Sequence, residues 1–196
     1  MTETDMAEFP SARFVEITPN AEGLICAAYG ICTGRPAIEP ERIQRWITKG
    51  HESPLEHASA TFYIVCSRVV SHQLVRHRLC SFSQRSDRYA QQECEIYWPS
   101  ELPTNVGMVI RTAIDAYNHL ISKGYPKELA RYILPCGVTT ELYITANLRE
   151  WRHIIKLRAS KHAQPEMQVL ARKILRILLV PCPHVFEDLA PLLDHD

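Results

Sequence analysis

Apolar positions along the chain follow two periods, and the switches between them mark out the elements. Ala58–Cys66 (ASATFYIVC) is aromatic and β-branched and predicts a strand. Ser67 then stands at a capping position before SRVVSHQLVRHR, an expected helix that ends in three basic residues. Thr139–Thr145 (TTELYIT) predicts a further strand. Asn147 starts another helix, with Glu150 three residues on in a capping-box arrangement. The last long helix is expected from Pro165-Glu166 to about Val180. Met167, Leu170, Ala171, Ile174 and Leu178 form its inward stripe, with Arg172, Lys173 and Arg176 outside it.

Quieter segments fill the rest. Residues 1–20 read as a loosely held lead-in. Pro40-Glu41-Arg42 opens a short helix through Ile43, Trp46 and Ile47, closed by Lys49-Gly50. Residues 79–105 carry two prolines and little periodicity, and read as a long functional loop with some strand. Helices are expected at about 107–123 and 126–134, the second stopped by Pro135. Runs of helix with separated strands predict an α+β fold, one mixed α/β domain over residues 1–196, rather than an alternating doubly wound sheet. No repeat, low-complexity tract or linker divides the sequence.

Composition narrows the class of protein. Hydrophobic residues make up 46% and charged residues 22%, ordinary globular values that exclude a disordered chain. Lys+Arg and Asp+Glu stand at 22 each, so net charge gives no hold on a polyanion. Any phosphate or nucleic-acid role must come from a local cluster. Ile174–Val180, the longest apolar stretch, is broken by Arg176 and is too short to span a bilayer. The start, MTETDMAEFPSARF, has early acids and no apolar run, so no secretory leader is expected. Seven cysteines (Cys26, Cys32, Cys66, Cys80, Cys94, Cys136, Cys182) are scattered without a CxxC pair. They read as reduced thiols of a cytoplasmic protein, not as a disulfide framework or a zinc site.

Three clusters carry candidate chemistry. In Arg76–Tyr89, four arginines and three serines surround one aspartate, a donor array suited to a phosphate. A solvated basic loop, with Arg76 to Arg78 offsetting a helix dipole, is the other reading of the same residues. His51-Glu52-Ser53-Pro54-Leu55-Glu56-His57 lacks the i, i+4 pattern of a metal helix, so no metal is expected there. After Asn147, helical spacing puts Asn147, Trp151, Ile154 and Arg158 on one face and Arg149 with His153 on another. That face either lines a pocket for a flat ring or is a cap, a core tryptophan and a surface arginine. Glu128 offers Arg131 an ordinary surface pair.

Arg76-His77-Arg78, seven residues and then Ser86 resemble the RHR-x7-S signature of the flavin-dependent thymidylate synthases. Gly50 and His51–His57 are similar to that family's HGHxSPxEH-type segment, and Ala130-Arg131-Tyr-Ile-Leu-Pro135 to its ARxxLP turn. Asn147-Leu-Arg149 and Leu157–Glu166 resemble its NxR and LRxxxxAQxE blocks. The motifs occur in family order over roughly residues 45–185, which is far more specific than any one of them alone.

The resemblance implies methylation of dUMP to dTMP, with methylenetetrahydrofolate giving the carbon and FAD, reduced by NADPH, the reducing equivalents. It also implies a mixed α/β fold that is not a Rossmann fold, and a homotetramer with active sites at subunit interfaces. By the same resemblance Ser53, Arg76, His77, Arg78, Asn147, Arg149 and His153 would contact FAD. Gln73, Gln84, Arg85, Ser86, Asp87, Arg88, Arg131 and Arg158 would hold dUMP, Asp87 through its backbone. Arg158 would be the activating residue. Its cation beside N3 would favour the ionised pyrimidine and make C5 a better nucleophile, with no cysteine nucleophile needed.

The sequence departs from the family pattern at a few positions. Ala27-Ala28-Tyr29-Gly30-Ile31 stands where relatives usually carry Ala-Ala-Arg-x-Ser, and Gln84 where glutamate is commoner. These departures keep open an alternative, a flavin- and folate-dependent enzyme that hydroxymethylates a pyrimidine nucleotide. A nucleic-acid-binding module using the arginines of 76–88 would show steeply salt-dependent binding. The balanced net charge speaks against that reading.

Overall fold

Two nine-residue strands, one alternating in burial throughout and the other up to its last residue, set the architecture. The computed structural model describes residues 9–35, 39–92, 95–99 and 102–194. In chain order the strands are β1 (Ser11–Ile17), β2 (Ser59–Ser67), β3 (Cys80–Gln84) and β4 (Thr139–Asn147). They form one antiparallel sheet in the order β1-β2-β4-β3. The helices are α1 (Ala21–Thr33), α2 (Ile43–Thr48), α3 (Arg68–Leu74), α4 (Gly107–Ser122), α5 (Lys127–Ala130), α6 (Leu148–Arg158), α7 (Pro165–Leu178) and α8 (Pro183–Phe186). This is the mixed α/β architecture that the pattern predicted, with no alternating parallel sheet.

The core lies on one face of the sheet. Ala60, Phe62, Ile64 and Cys66 of β2 and Leu142, Ile144 and Ala146 of β4 point into it, as the two-residue period requires. Helices α6 and α7 cover that face with Trp151, Ile154, Ile155, Met167, Leu170, Ala171 and Ile174. Trp151 meets Phe62 edge-on at 5.1 Å, and its indole N–H donates to the Ala60 carbonyl at 3.0 Å. On the opposite face Tyr63 packs on its cross-strand partner Tyr143 at 5.3 Å, while Thr61 and Thr145 share a hydrogen bond of 2.9 Å.

Several expectations change. Residues 11–17 are no lead-in: they pair with β2 from Ser11↔Val65 to Ile17↔Ala60, bulging between Phe14 and Glu16. Their mostly exposed, charged pattern is that of an edge strand and hides the period. Helix α1 falls where no element was assigned. Its sequence AEGLICAAYGICT is small and apolar nearly all round, and Gly34 ends it at φ 64 in the left-handed region. The helix after Ser67 stops at Leu74, and Arg76–Arg78 belong to the turn into β3. The segment expected as a helix at 126–134 is the four-residue α5 followed by a 3-10 turn over Arg131–Ile133. Arg172, expected outside the α7 stripe, is buried and donates to Gln168 at 3.0 Å. Within the loop of 79–105, β3 pairs with β4, and positions 93–94 and 100–101 lie outside the described residues.

Polar clasps hold the C-terminal turns against the helices. Arg152, only 1% exposed, forks onto both carboxylate oxygens of Asp188 at 2.7 Å. Glu22 at the start of α1 accepts from the His184 backbone N–H and pairs with its Nδ1, both at 2.8 Å. No helix among the described residues is long and apolar enough to cross a membrane.

The Glu22 hydrogen bond raises the His184 pKa above the ordinary histidine value, outweighing a small burial effect in the other direction. A histidine bound more tightly to its proton when folded stabilises fully below the unfolded pKa of about 6.5, and that gain fades as pH rises through the folded value. Urea unfolding of the wild type and of His184→Gln should therefore differ at pH 6 and converge towards pH 9. An unchanged gap between the two would refute the ionic part of this clasp.

Candidate active site

The site begins with the way α3 is started. Ser67 caps it, its hydroxyl oxygen accepting from the Val70 N–H at 3.2 Å. Glu166, in the first turn of α7, then accepts from both the Ser67 N–H (2.8 Å) and hydroxyl (2.7 Å). The carboxylate is 2% exposed, and burial raises its pKa while the two Ser67 bonds act the other way. An acidic group at a helix N-terminus also complements the dipole. The start of α3 is thereby pinned to the core helix, and with it Gln73 and the turn that follows.

That turn brings His77 to α6. Arg158, the last residue of α6, donates from Nε to His77 Nε2 at 3.1 Å, and from its two Nη atoms to the side-chain and backbone oxygens of Gln73, both at 3.3 Å. Gln73 in turn donates to Gln164 at 2.5 Å. On the other side of the ring, His77 Nδ1 lies 3.4 Å from the Glu150 carboxylate, and His153 meets the ring edge-on at 5.7 Å. His77 is 5% exposed. Burial, then Arg158 and His153, lower its pKa to about 4, so the ring is neutral at pH 7. Burial raises the Glu150 pKa, which His153 partly offsets.

Arg158 is a half-buried cation with no carboxylate partner among the described residues, and burial alone moves its pKa, downwards. Two of the other buried or half-buried arginines, Arg152 and Arg68, face Asp188 and Asp87. Arg158 thus leaves a fixed positive charge available for an anion. His77, Glu150 and His153 bring their ligand atoms within 4.8 Å of one another, a spacing of interest for a metal. Arg158, however, donates into the same imidazole, and a divalent ion would share the group with that guanidinium at close range.

The other sequence-predicted residues fall into separate groups. Ser53 is exposed in the 3-10 turn Ser53–His57, and its neighbours Glu52 and Glu56 hold Arg149 at 3.8 and 2.5 Å. The Asn147 Oδ1 caps α6 by accepting from Glu150 N at 2.8 Å, while its NH2 group has no partner among the described residues. Trp151 and Ile154 are fully buried core residues. Arg76, Arg78 and Arg131 are exposed guanidiniums with no partner among the described residues. The array of 76–89 is not one cluster of free donors. Arg85 faces Glu141 at 3.3 Å, Arg88 donates to Glu128 at 3.0 Å, and Asp87 is buried against Arg68. Glu128 therefore pairs with Arg88 and not with Arg131. Gln84 donates to Ser71 at 3.1 Å and Thr140 at 3.3 Å, and the Ser86 hydroxyl accepts from Arg88 N at 3.3 Å.

Three participants lay outside the expected site: Glu150, Gln164 and Glu166. The i, i+3 spacing of Glu150 and His153 was the signal for the first. Gln164 and Glu166 are the Gln and Glu of the LRxxxxAQxE-like block, but their partners Gln73 and Ser67 show only once α7 is packed beside α3. Tyr29, where the family pattern has an arginine, is 1% exposed, stacks on Trp46 at 5.1 Å and donates to the His51 carbonyl. Cys80, which the Glu150 charge reaches, has its thiol pushed up to about 12, first by burial and then by Glu150.

Comparison with known proteins adds a family. Residues 13–184 match the family model described as thymidylate synthase complementing protein. A protein of Geobacter sulfurreducens named flavin-dependent thymidylate synthase is 34% identical, over 89% of this chain and 84% of its own. Proteins of the same name from Saccharolobus solfataricus and Sulfurisphaera tokodaii are 34% and 37% identical, over 92% of this chain and 77% and 78% of theirs.

The neutral state of His77 is directly measurable. A chemical-shift titration of its ring should give a midpoint near 4, where a solvated histidine gives about 6.5. A midpoint at the solvated value would mean that the ring does not sit buried between Arg158 and Glu150.

Proposed function

The chain belongs to the thymidylate synthase complementing protein family, and on that premise we propose that it is a flavin-dependent thymidylate synthase. It methylates dUMP to dTMP, taking carbon from methylenetetrahydrofolate. The observation that carries this reading is Arg158: a half-buried guanidinium, oriented by Gln73 and a neutral His77, without a counter-ion among the described residues.

Such a cation suits a pyrimidine that reacts as an anion. Placed beside N3, it favours loss of the N3 proton and leaves more electron density at C5. Its planar fork matches N3 and the adjacent carbonyl oxygen, which a point charge cannot do. His77, being neutral, adds no competing charge and serves as an acceptor that fixes the guanidinium plane. Cys80 stays a protonated thiol near this group. That supports chemistry without a cysteine nucleophile.

The donor set fits a flavin dinucleotide. Arg76 and Arg78 are exposed and unpaired among the described residues, as a diphosphate requires. His153, the free NH2 group of Asn147 and the hydroxyl of Ser53 add donors, while Arg149 would be shared with Glu52 and Glu56. When bound, FAD reduced by NADPH would supply the reducing equivalents of the reaction. The protein's part is to bind, orient and hold charge.

Ser86, Arg88 and Arg131 make no hydrogen bond or ion pair with the Arg158 group within the chain. A homotetramer in which subunits share each site would bring the phosphate-binding set of one chain to the Arg158 of another.

Mass analysis of nucleotides from purified protein with FAD, NADPH, methylenetetrahydrofolate and dUMP should show dTMP, lost when FAD or NADPH is omitted. A 5-hydroxymethyl product would instead establish the alternative enzyme. Unchanged dUMP with flavin bound would refute both. Arg158→Lys should keep bound flavin yet lower kcat at least about tenfold, since the fork is lost. Near-native turnover in that variant would remove Arg158 from the activating role.

A further inference from the structure

Glu150 holds a position that capping alone does not account for. Asn147 caps α6 without help, and the Glu150 carboxylate makes no return bond to the Asn147 backbone among the described residues. The side chain is instead turned inward, 6% exposed, with Oε1 3.4 Å from His77 Nδ1. A carboxylate placed there at the cost of its hydration needs a donor, and the ring it faces has one nitrogen already committed. Arg158 Nε–H donates to His77 Nε2 at 3.1 Å, so Nε2 must carry a lone pair and Nδ1 the proton.

We propose that Glu150 is a positioning residue for Arg158: by accepting from Nδ1–H it holds His77 in the one tautomer whose Nε2 can receive the guanidinium. In the opposite tautomer two N–H groups would face each other across 3.1 Å, and the guanidinium would lose its one side-chain anchor besides Gln73 among the described residues. The chain of contacts runs Glu150–His77–Arg158, with all three residues reaching it from α6 and the turn after α3. This rests on the functional reading above for what Arg158 does, but the tautomer follows from the geometry alone. Carboxylates set imidazole tautomers in the same way behind metal-bound and catalytic histidines. The difference here is that the histidine orients a cation and moves no proton.

Two variants and one spectrum test it. Glu150→Gln can still accept from Nδ1–H and should keep at least about a third of wild-type kcat. Glu150→Leu fills the space but cannot accept. It should fold and retain flavin, with kcat about tenfold lower and KM for dUMP within about twofold. A packing role alone would leave Leu as active as Gln, since apolar isosteres of buried charges are well tolerated. That outcome would overturn the proposal. Nitrogen-15 spectra of His77 in the wild type should show Nδ1 protonated and Nε2 bare, and a mixture or the reverse tautomer would overturn it even if Glu150→Leu failed to fold. The spectrum needs no turnover. A wild type inert toward dUMP would therefore sink the functional reading while leaving the tautomer to be judged on its own.

Discussion

The register between β2, β4 and β3 is the constraint on which the site depends. Ser67 at the end of β2 lies opposite Thr139, while Cys80 at the start of β3 lies opposite Ala146. The chain must therefore travel seven residues along β4 between them, roughly 23 Å at about 3.3 Å per residue, and cross β4 as well. A helix continued over 68–79 would advance only about 18 Å at 1.5 Å per residue. Ending α3 at Leu74 and running residues 75–79 as an open turn covers the distance. The same register delivers His77 beside the first two turns of α6, because Asn147, where that helix starts, directly follows Ala146. Glu150, His153 and Arg158 meet His77 for that reason.

Burial then divides the arginines by what they can do. Arg152 and Arg68 are matched to Asp188 and Asp87, and such pairs are close to neutral in net stability while costly to break. Arg158 is anchored by neutral groups only, the oxygens of Gln73 and a deprotonated ring nitrogen. Neutral acceptors fix its geometry without cancelling its charge. A charged His77 would have opposed it, and the lowered His77 pKa and the availability of the Arg158 charge are thus two sides of one arrangement.

Local signals carried much of this. The alternation in β2 and β4, the caps at Ser67 and Asn147 and the stripe of α7 are properties of short windows, and each is present where the window placed it. The elements that were hidden owe their conformation to partners. β1 is a strand through its ladder with β2, and its own residues are mostly exposed. Arg76–Arg78 look helical by neighbourhood but are stretched by the register. Gln73, His77 and Arg158 were singled out by motif and meet in space. Glu150, Gln164 and Glu166 could be given roles only after α6 and α7 were packed against α3, because their partners lie in distant segments.

Tyr29 shows how a departure from a family pattern can be absorbed by the scaffold. Where the pattern has an arginine, this chain puts a ring into the core, against Trp46, with its hydroxyl on the His51 carbonyl. Its pKa is pushed up to about 12, mainly by burial, so it acts as a neutral donor. The hydroxyl braces the backbone two residues ahead of Ser53, in the turn whose Glu52 and Glu56 hold Arg149. A change of this kind acts on how rigidly that turn is held. The partners of Tyr29, Trp46 and His51, are different residues from Gln73 and His77, which hold Arg158.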